Sequence, residues 1–290
     1  MKIYFETDLG GWALVRIRQA IRENLPVDVI EVPTRGEADL VILYIIGRLN
    51  HNFQDIDLLK KGGTKVIVLQ CALRSTRNPN TVDWIPLWKM ADLVWSYYDL
   101  PALIREDGNG EADFNFFHSP LGTDRQFQPH SRNKDFMIVT LGRSHRAESL
   151  HEVWTAVYQA GFEGCHVGKV FDYYPGLTYF PEGGHRARIA GFLSQCHYVS
   201  CLRRKEGFEL TAVEGLVCGT RPIFYDRPHY RNWFGDFGEY IPEGTPNEVI
   251  ASLIDLFNRP VRKVYEQERI AAREKFNWET ILKGLWERCL

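Results

Sequence analysis

Residues 204–222, RKEGFELTAVEGLVCGTRP, decide how this chain reads: Glu206 and Glu214 stand eight positions apart, around an EGF turn and ahead of a CGTRP exit. Gly207 lets backbone amides approach a ligand closely. Leu210, Val213, Leu216 and Val217 follow at helical spacing, so Glu206 is expected in a loop and Glu214 one to two turns into a helix. The unpaired N–H groups of a helix start attract anions, so a diphosphate beside Gly207, Phe208 and Glu209 would be stabilised by those amides and by the helix dipole. A carboxylate further along can accept two hydroxyl protons, which suits the ribose of a nucleotide. Gly219 is a helix-stop signal, and Pro222, Ile223, Phe224 and Tyr225 open a short apolar strand. Taken alone, the two glutamates read as a helix-end charge and a solvated face residue; their surroundings reverse that.

Outward from this stretch the chain alternates short strands and helices. Residues 2–6 read as a first strand, 8–11 as a tight loop, and 13–24 as a helix with Leu14, Ile17 and Ile21 inward. Residues 27–32 form a second strand. The runs 38–46, 65–70 and 93–97 are nearly continuous in apolar residues, as expected of strands covered on both faces. A repeating strand–helix order makes a doubly wound parallel sheet with ligands at the carboxyl ends of its strands. From Phe136 the pattern restarts, with strands expected at 136–141, 165–168 and 197–201. Helices are expected at 148–160, 187–195, 246–258 and 262–289. The fold class is therefore α/β, with an N-terminal domain at 1–125, a linker at 126–135 and a second domain at 136–270 before a closing helical segment at 271–290.

Composition agrees with two domains: 290 residues with 44% hydrophobic content can bury a sizeable core. The 35 basic and 37 acidic residues nearly balance, which argues against blanket neutralisation of nucleic-acid phosphates as the source of affinity. Six cysteines, at 71, 165, 196, 201, 218 and 289, show no CxxC and read as reduced cytoplasmic thiols. The start, MKIYFETDLGG, has no long apolar region, and no window approaches a membrane span.

EGFEL followed by EGLVCGTRPI resembles the glutamate-x7-glutamate segment of retaining GT-B glycosyltransferases, especially family four, usually EGFGL and then EAMACGTPVI. Three more stretches match in order: LGTDRQFQP at 121–129 is similar to that family's NGVDTERFKP, VTLGR at 139–143 to FVGRL, and FNWE at 276–279 to FSWE. The resemblance covers most of 120–290. It implies two Rossmann-like domains facing a cleft, the last helix crossing back onto the first domain through Trp278 and Trp286. It also implies transfer of a hexosyl or pentosyl group from a UDP- or GDP-sugar, with retention and without metal or other cofactor. In the family, the arginine of the GR pair and a lysine shortly after it bind the donor diphosphate. Here Gly142 and Arg143 match, and in place of the missing lysine the stretch SHRAES offers Arg146 or His145. Glu206 would lie beside the transferring sugar and Glu214 would bind ribose, while Gly207, Phe208 and Leu210 offer backbone N–H groups. Glu209 replaces the usual glycine and either points away or binds a donor hydroxyl. The preceding cations, Arg203 to Lys205, either meet phosphate or are solvated. Gly10 and Gly11, after the first strand, are donor-side candidates.

On the acceptor side the family's strand-end histidine is missing, and His51 lies in a polar loop. Arg74, Arg77, Trp84 and Trp88 mix cations with aromatics; they form either an acceptor surface or, for the tryptophans, core. The acceptor is then a saccharide or glycoconjugate, or as a second class a hydroxymethylated base in DNA. A non-catalytic GT-B-like nucleotide-sugar-binding or partner subunit is the alternative, and monomer and homodimer are both open. Asp55-Ile56-Asp57 has the DxD form of a metal–diphosphate site but precedes LLKK and reads as a helix start.

Overall fold

The computed structural model describes residues 1–6, 12–45, 52–71, 84–131, 133–143, 149–169, 174–180, 186–203 and 207–289. The chain divides into two compact units: unit 1 comprises Met1–Leu121, Lys205–Phe208 and Asn277–Leu290, and unit 2 comprises Gly122–Arg204 and Glu209–Phe276.

Unit 1 is built on a six-stranded parallel sheet of β1 (Lys2–Phe5), β2 (Ile30–Glu31), β3 (Leu40–Ile45), β4 (Lys65–Gln70), β5 (Leu93–Ser96) and β6 (Phe116–His118), in the order β2-β1-β3-β4-β5-β6. The central strands LVILYI and KVIVLQ are buried on both faces, which is why they read as unbroken apolar runs. Helices α1 (Trp12–Glu23), α2 (Asn52–Lys61), α3 (Ile85–Met90) and α4 (Leu100–Glu106) accompany the sheet. Leu14, Ile17 and Ile21 of α1 are buried, as their spacing predicts. The second strand is shorter than the expected 27–32. It lies at the sheet edge, where Val27 is fully exposed and only two residues pair with β1.

Unit 2 repeats the plan. Its strands are β7 (Phe136–Arg143), β8 (Gly164–Lys169), β9 (Leu177–Phe180), β10 (Cys196–Ser200), β11 (Arg221–Tyr225) and β12 (Glu239–Ile241), all parallel, in the order β12-β11-β10-β7-β8-β9. Helices α5 (Leu150–Gln159), α6 (Arg186–Ser194), α7 (Leu210–Val217), α8 (Pro228–Phe234), α9 (Pro246–Asn258) and α10 (Glu266–Lys275) complete it. Thr245 caps α9 in a capping box with Glu248.

The helix expected over 262–289 is two helices, α10 and α11 (Trp278–Cys289). The break falls at Phe276, whose backbone leaves the helical region, and the side chain of Asn277 then accepts the Thr280 N–H to start α11. Within unit 1, Trp286 of α11 donates its indole N–H to the carbonyl of Asn24, and Lys65 donates to that of Cys289.

Candidate functional site

From β7 the chain of unit 2 steps outward through β8 and β9, then returns to the other flank for β10, β11 and β12. The order reverses between β7 and β10, and in doubly wound sheets ligands bind outside the carboxyl ends of the strands at that switch point. Arg143 ends β7; Ser200 ends β10 and leads through Cys201, Leu202 and Arg203 toward α7. The motif that opened the sequence reading thus leaves the sheet at its switch point.

Helix α7 is buried along its whole length. Gly215 permits the close approach, since a Cβ there would stand 2.7 Å from Val199 Cγ1 on β10. The helix ends in a Schellman pair: Thr220 N–H donates to the Gly215 carbonyl, Gly219 N–H donates to that of Leu216, and Gly219 adopts φ +85°. Glu209 is the N-cap residue, 3% exposed, with Oε2 3.4 Å from Nε of Arg203. Arg203 is thus an ion-pair partner of Glu209, which is turned toward that guanidinium, while Arg204 and Lys205 lie outside the described residues. Leu210, the first helical residue, is buried, and Glu214 is completely so. Its carboxylate joins the effect of burial in pushing the Cys218 thiol up to about 12, and it adds in the same sense at Cys201.

Gly142 sits in β7 opposite Gly168 with φ +106°, which favours glycine at this strand end. Beneath it lies a buried polar group that the sequence reading passed over. His166 on β8 is paired in register with Thr140 on β7, and Nδ1 of His166 is 2.8 Å from Oγ1 of Thr140. That oxygen also accepts the indole N–H of Trp154 at 3.1 Å. Burial lowers the pKa of His166 from 6.5 to about 4, so the ring is neutral, against a smaller opposing contribution from the Gly142 backbone.

In unit 1, Phe208 packs its ring 5.7 Å from that of Tyr97, and a Cβ on Gly207 would come within 2.4 Å of the Tyr98 ring. Gly207 is therefore required by close packing alone. Trp84 and Trp88 are 3% and 0% exposed, and Trp88 donates its N–H to Oε1 of Gln70 at 2.9 Å. Of the two roles open to them, they take the core one, because a strand-end glutamine already satisfies the indole of Trp88. Asp55 pairs with Arg35 at 3.1 Å and Asp57 with Lys61 at 2.6 Å, so both DxD carboxylates are held in ion pairs on α2. Glu206, Arg146, Gly10, Gly11, His51, Arg74 and Arg77 lie outside the described residues, as does the side chain of Arg143.

All six cysteines are free thiols. Cys165 and Cys196 approach to 3.6 Å between sulfurs. That is well beyond the roughly 2.05 Å of a disulfide bond, so the two thiols are in contact without being linked. Among the described residues, no group of three or more His, Cys, Asp or Glu could hold a metal, and no helix is long and apolar enough to cross a membrane.

No protein-family profile matches the chain. It is 27% identical over 107 residues to an uncharacterized glycosyltransferase of Methanocaldococcus jannaschii, a stretch covering 33% of this chain and 28% of that protein. It is similar in structure to sucrose-phosphate synthase from Thermosynechococcus elongatus, with a TM-score of 0.74, 15% identity and coverage of 100% of this chain and 99% of that one. AviGT4, a glycosyltransferase involved in avilamycin A biosynthesis, gives a TM-score of 0.63 at 15% identity, covering 99% and 96%. The pneumococcal O-GlcNAc transferase GtfA, in complex with UDP and GlcNAc, gives 0.65 at 16% identity; the match covers 95% of this chain but 59% of GtfA. The chain thus spans just over half of GtfA and about a quarter of its curated archaeal relative. At such identities the likeness speaks to architecture: two six-stranded parallel sheets clothed by helices are the GT-B fold of glycosyltransferases.

Proposed function

We propose that the chain is a glycosyltransferase that moves a sugar from a nucleoside-diphosphate sugar to an acceptor hydroxyl, with retention at the anomeric carbon and without a metal ion. The observation that carries this is the β10–α7 segment: a buried glutamate, Glu214, on a helix that follows the switch-point strand of a GT-B sheet. Glu214 would accept the ribose hydroxyls, and the amides opening α7 would face the diphosphate. UDP is the proposed nucleotide, since GtfA was crystallised with UDP and GlcNAc.

In the proposed reaction the bond from the anomeric carbon to the diphosphate oxygen breaks, and the acceptor oxygen bonds to the same face. The acceptor proton passes to the leaving phosphate, so no separate protein base is required. Arg143 and Arg146 would stabilise charge on the diphosphate and Glu206 the cationic character at the sugar. The proposed acceptor is a saccharide or glycoconjugate.

Thermal-shift screening of UDP- and GDP-sugars, followed by NMR of the anomeric proton of the transferred sugar, tests this reading. Stabilisation by one donor and an α-to-α or β-to-β outcome are expected. Glu206→Ala and Arg143→Ala should each lower turnover by about 10²–10³-fold while circular dichroism stays unchanged. Full turnover in both variants would overturn the site, and stabilisation by a donor without any transfer or hydrolysis would instead indicate a nucleotide-sugar-binding subunit.

A further inference from the structure

A concave feature lies at the opposite, amino-terminal edge of the unit 2 sheet, where β7, β10 and β11 begin. It is a groove in two adjoining lobes of about 550 and 690 Å3, both reaching Lys134 and Gly219. One wall is the segment before β7, with His130 and Lys134; the other is the segment leading into α10, with Lys263, and the first turn of α10, with Arg269; His197 of β10 lines one lobe. Among the described residues, five cation-forming side chains thus line the groove with one carboxylate, Glu266, and Arg269 already holds it at 2.5 Å.

The cations are crowded. The Lys134 ammonium donates to the carbonyls of Cys196 and Gly219, both at 2.8 Å, and to Oγ1 of Thr220, all neutral partners. Burial lowers it to about 8, and Arg269 adds to the lowering. Burial also lowers His197, and Lys134 and Lys263 press it further in the same direction. Lys134 spends its three protons on the protein, so it contributes field; the imidazole of His197, the exposed ammonium of Lys263 and the guanidinium of Arg269 offer the donors.

We infer that this groove binds a small phosphate-bearing anion, at a site separate from the donor-side residues of the carboxyl edge. Its volume suits a small molecule rather than a nucleic-acid duplex. A dianion answers several cations at once through charge-assisted hydrogen bonds, where a single carboxylate would leave most of them repelling one another. The inference stands independently of the glycosyltransferase reading, because none of its residues belongs to that site.

The test is an NMR titration of the intact chain, following the ring resonances of His197, assigned with His197→Asn. Inorganic phosphate and pyrophosphate are added in parallel, with acetate at matched ionic strength. A saturable movement of the His197 signals by phosphate or pyrophosphate is expected, the tighter of the two telling a monophosphate from a diphosphate ligand. Lys263→Gln, an exposed and structurally mild change, should weaken binding about tenfold, whereas Glu214→Gln should leave it unchanged. The inference fails if neither anion saturates, if acetate acts equally, if Lys263→Gln binds as the wild type does, or if Glu214→Gln abolishes the response.

Discussion

The two edges of the unit 2 sheet differ in how their charges are answered, and α7 runs between them. At the carboxyl edge Glu209 occupies the N-cap position of the helix and pairs with Arg203, with the buried Glu214 farther along the same helix. At the amino edge the helix end is met by Lys134, whose ammonium takes the Gly219 carbonyl, with His197, Lys263 and Arg269 around it. Both placements agree with the helix dipole, which favours anions at its start and cations at its end. The difference lies in what remains unanswered. The carboxyl edge pairs its outer carboxylate internally, while the amino edge gathers cations that repel one another. This difference underlies the two proposals, a nucleotide sugar at the carboxyl edge and a phosphate-bearing anion at the amino edge.

The largest expected effect breaks the amino edge itself. Arg221, at the start of β11, is wholly buried. It donates to the carbonyls of Arg262, Asp236, Phe237 and Lys263 and to the carboxylate of Glu268. It therefore anchors the 262–263 segment that forms one wall of the groove. Arg221→Met removes every donor while keeping much of the volume, and should destabilise the protein by about 3–5 kcal/mol in urea unfolding. A change below about 1 kcal/mol would show that these carbonyls find water instead.

A second comparison sets His166 against His197. The first is kept neutral chiefly by burial and the second by burial together with neighbouring cations. The pKa of His166 falls from 6.5 to about 4, so between these values the unfolded chain binds the extra proton. Its contribution is complete above pH 6.5 and is lost as the pH falls through about 4; the shift corresponds to about 3 kcal/mol. His166→Asn, which retains an acceptor for Thr140, should flatten that part of the acid limb of stability against pH. An unchanged limb would assign acid sensitivity to the other histidines.

The smallest effect sharpens the role of α7 as the link. Gly215→Ala places a Cβ 2.7 Å from Val199 Cγ1, so the helix must shift away from β10. A loss of about 1–3 kcal/mol is expected in thermal or urea unfolding, with weaker nucleotide stabilisation at the carboxyl edge. Unaltered stability would mean that Val199 simply changes rotamer.

Much of this was legible because the signals are local. Strands β3, β4 and β7 announce themselves as apolar runs, and the EGFEL-to-CGTRP stretch carries its own turn, helix and stop. The short strands at 116–118, 177–180 and 239–241 were not legible, since three or four residues carry no period and their pairing is decided by distant neighbours. Trp84 and Trp88 illustrate the same limit: aromatics beside cations left surface and core both open until the structure buried both and gave the indole N–H of Trp88 to Gln70.

The sequence by itself determined the alternation of strands and helices, the position of the glutamate helix and the resemblance to GT-B enzymes, because these depend on residues near one another along the chain. Only the tertiary structure decided that Glu209 faces Arg203, that Thr140, Trp154 and His166 form one buried group, and that Lys134, Lys263 and Arg269 converge with His130 and His197 on one groove. Those facts depend on sheet order and register, which bring together residues that no local pattern connects.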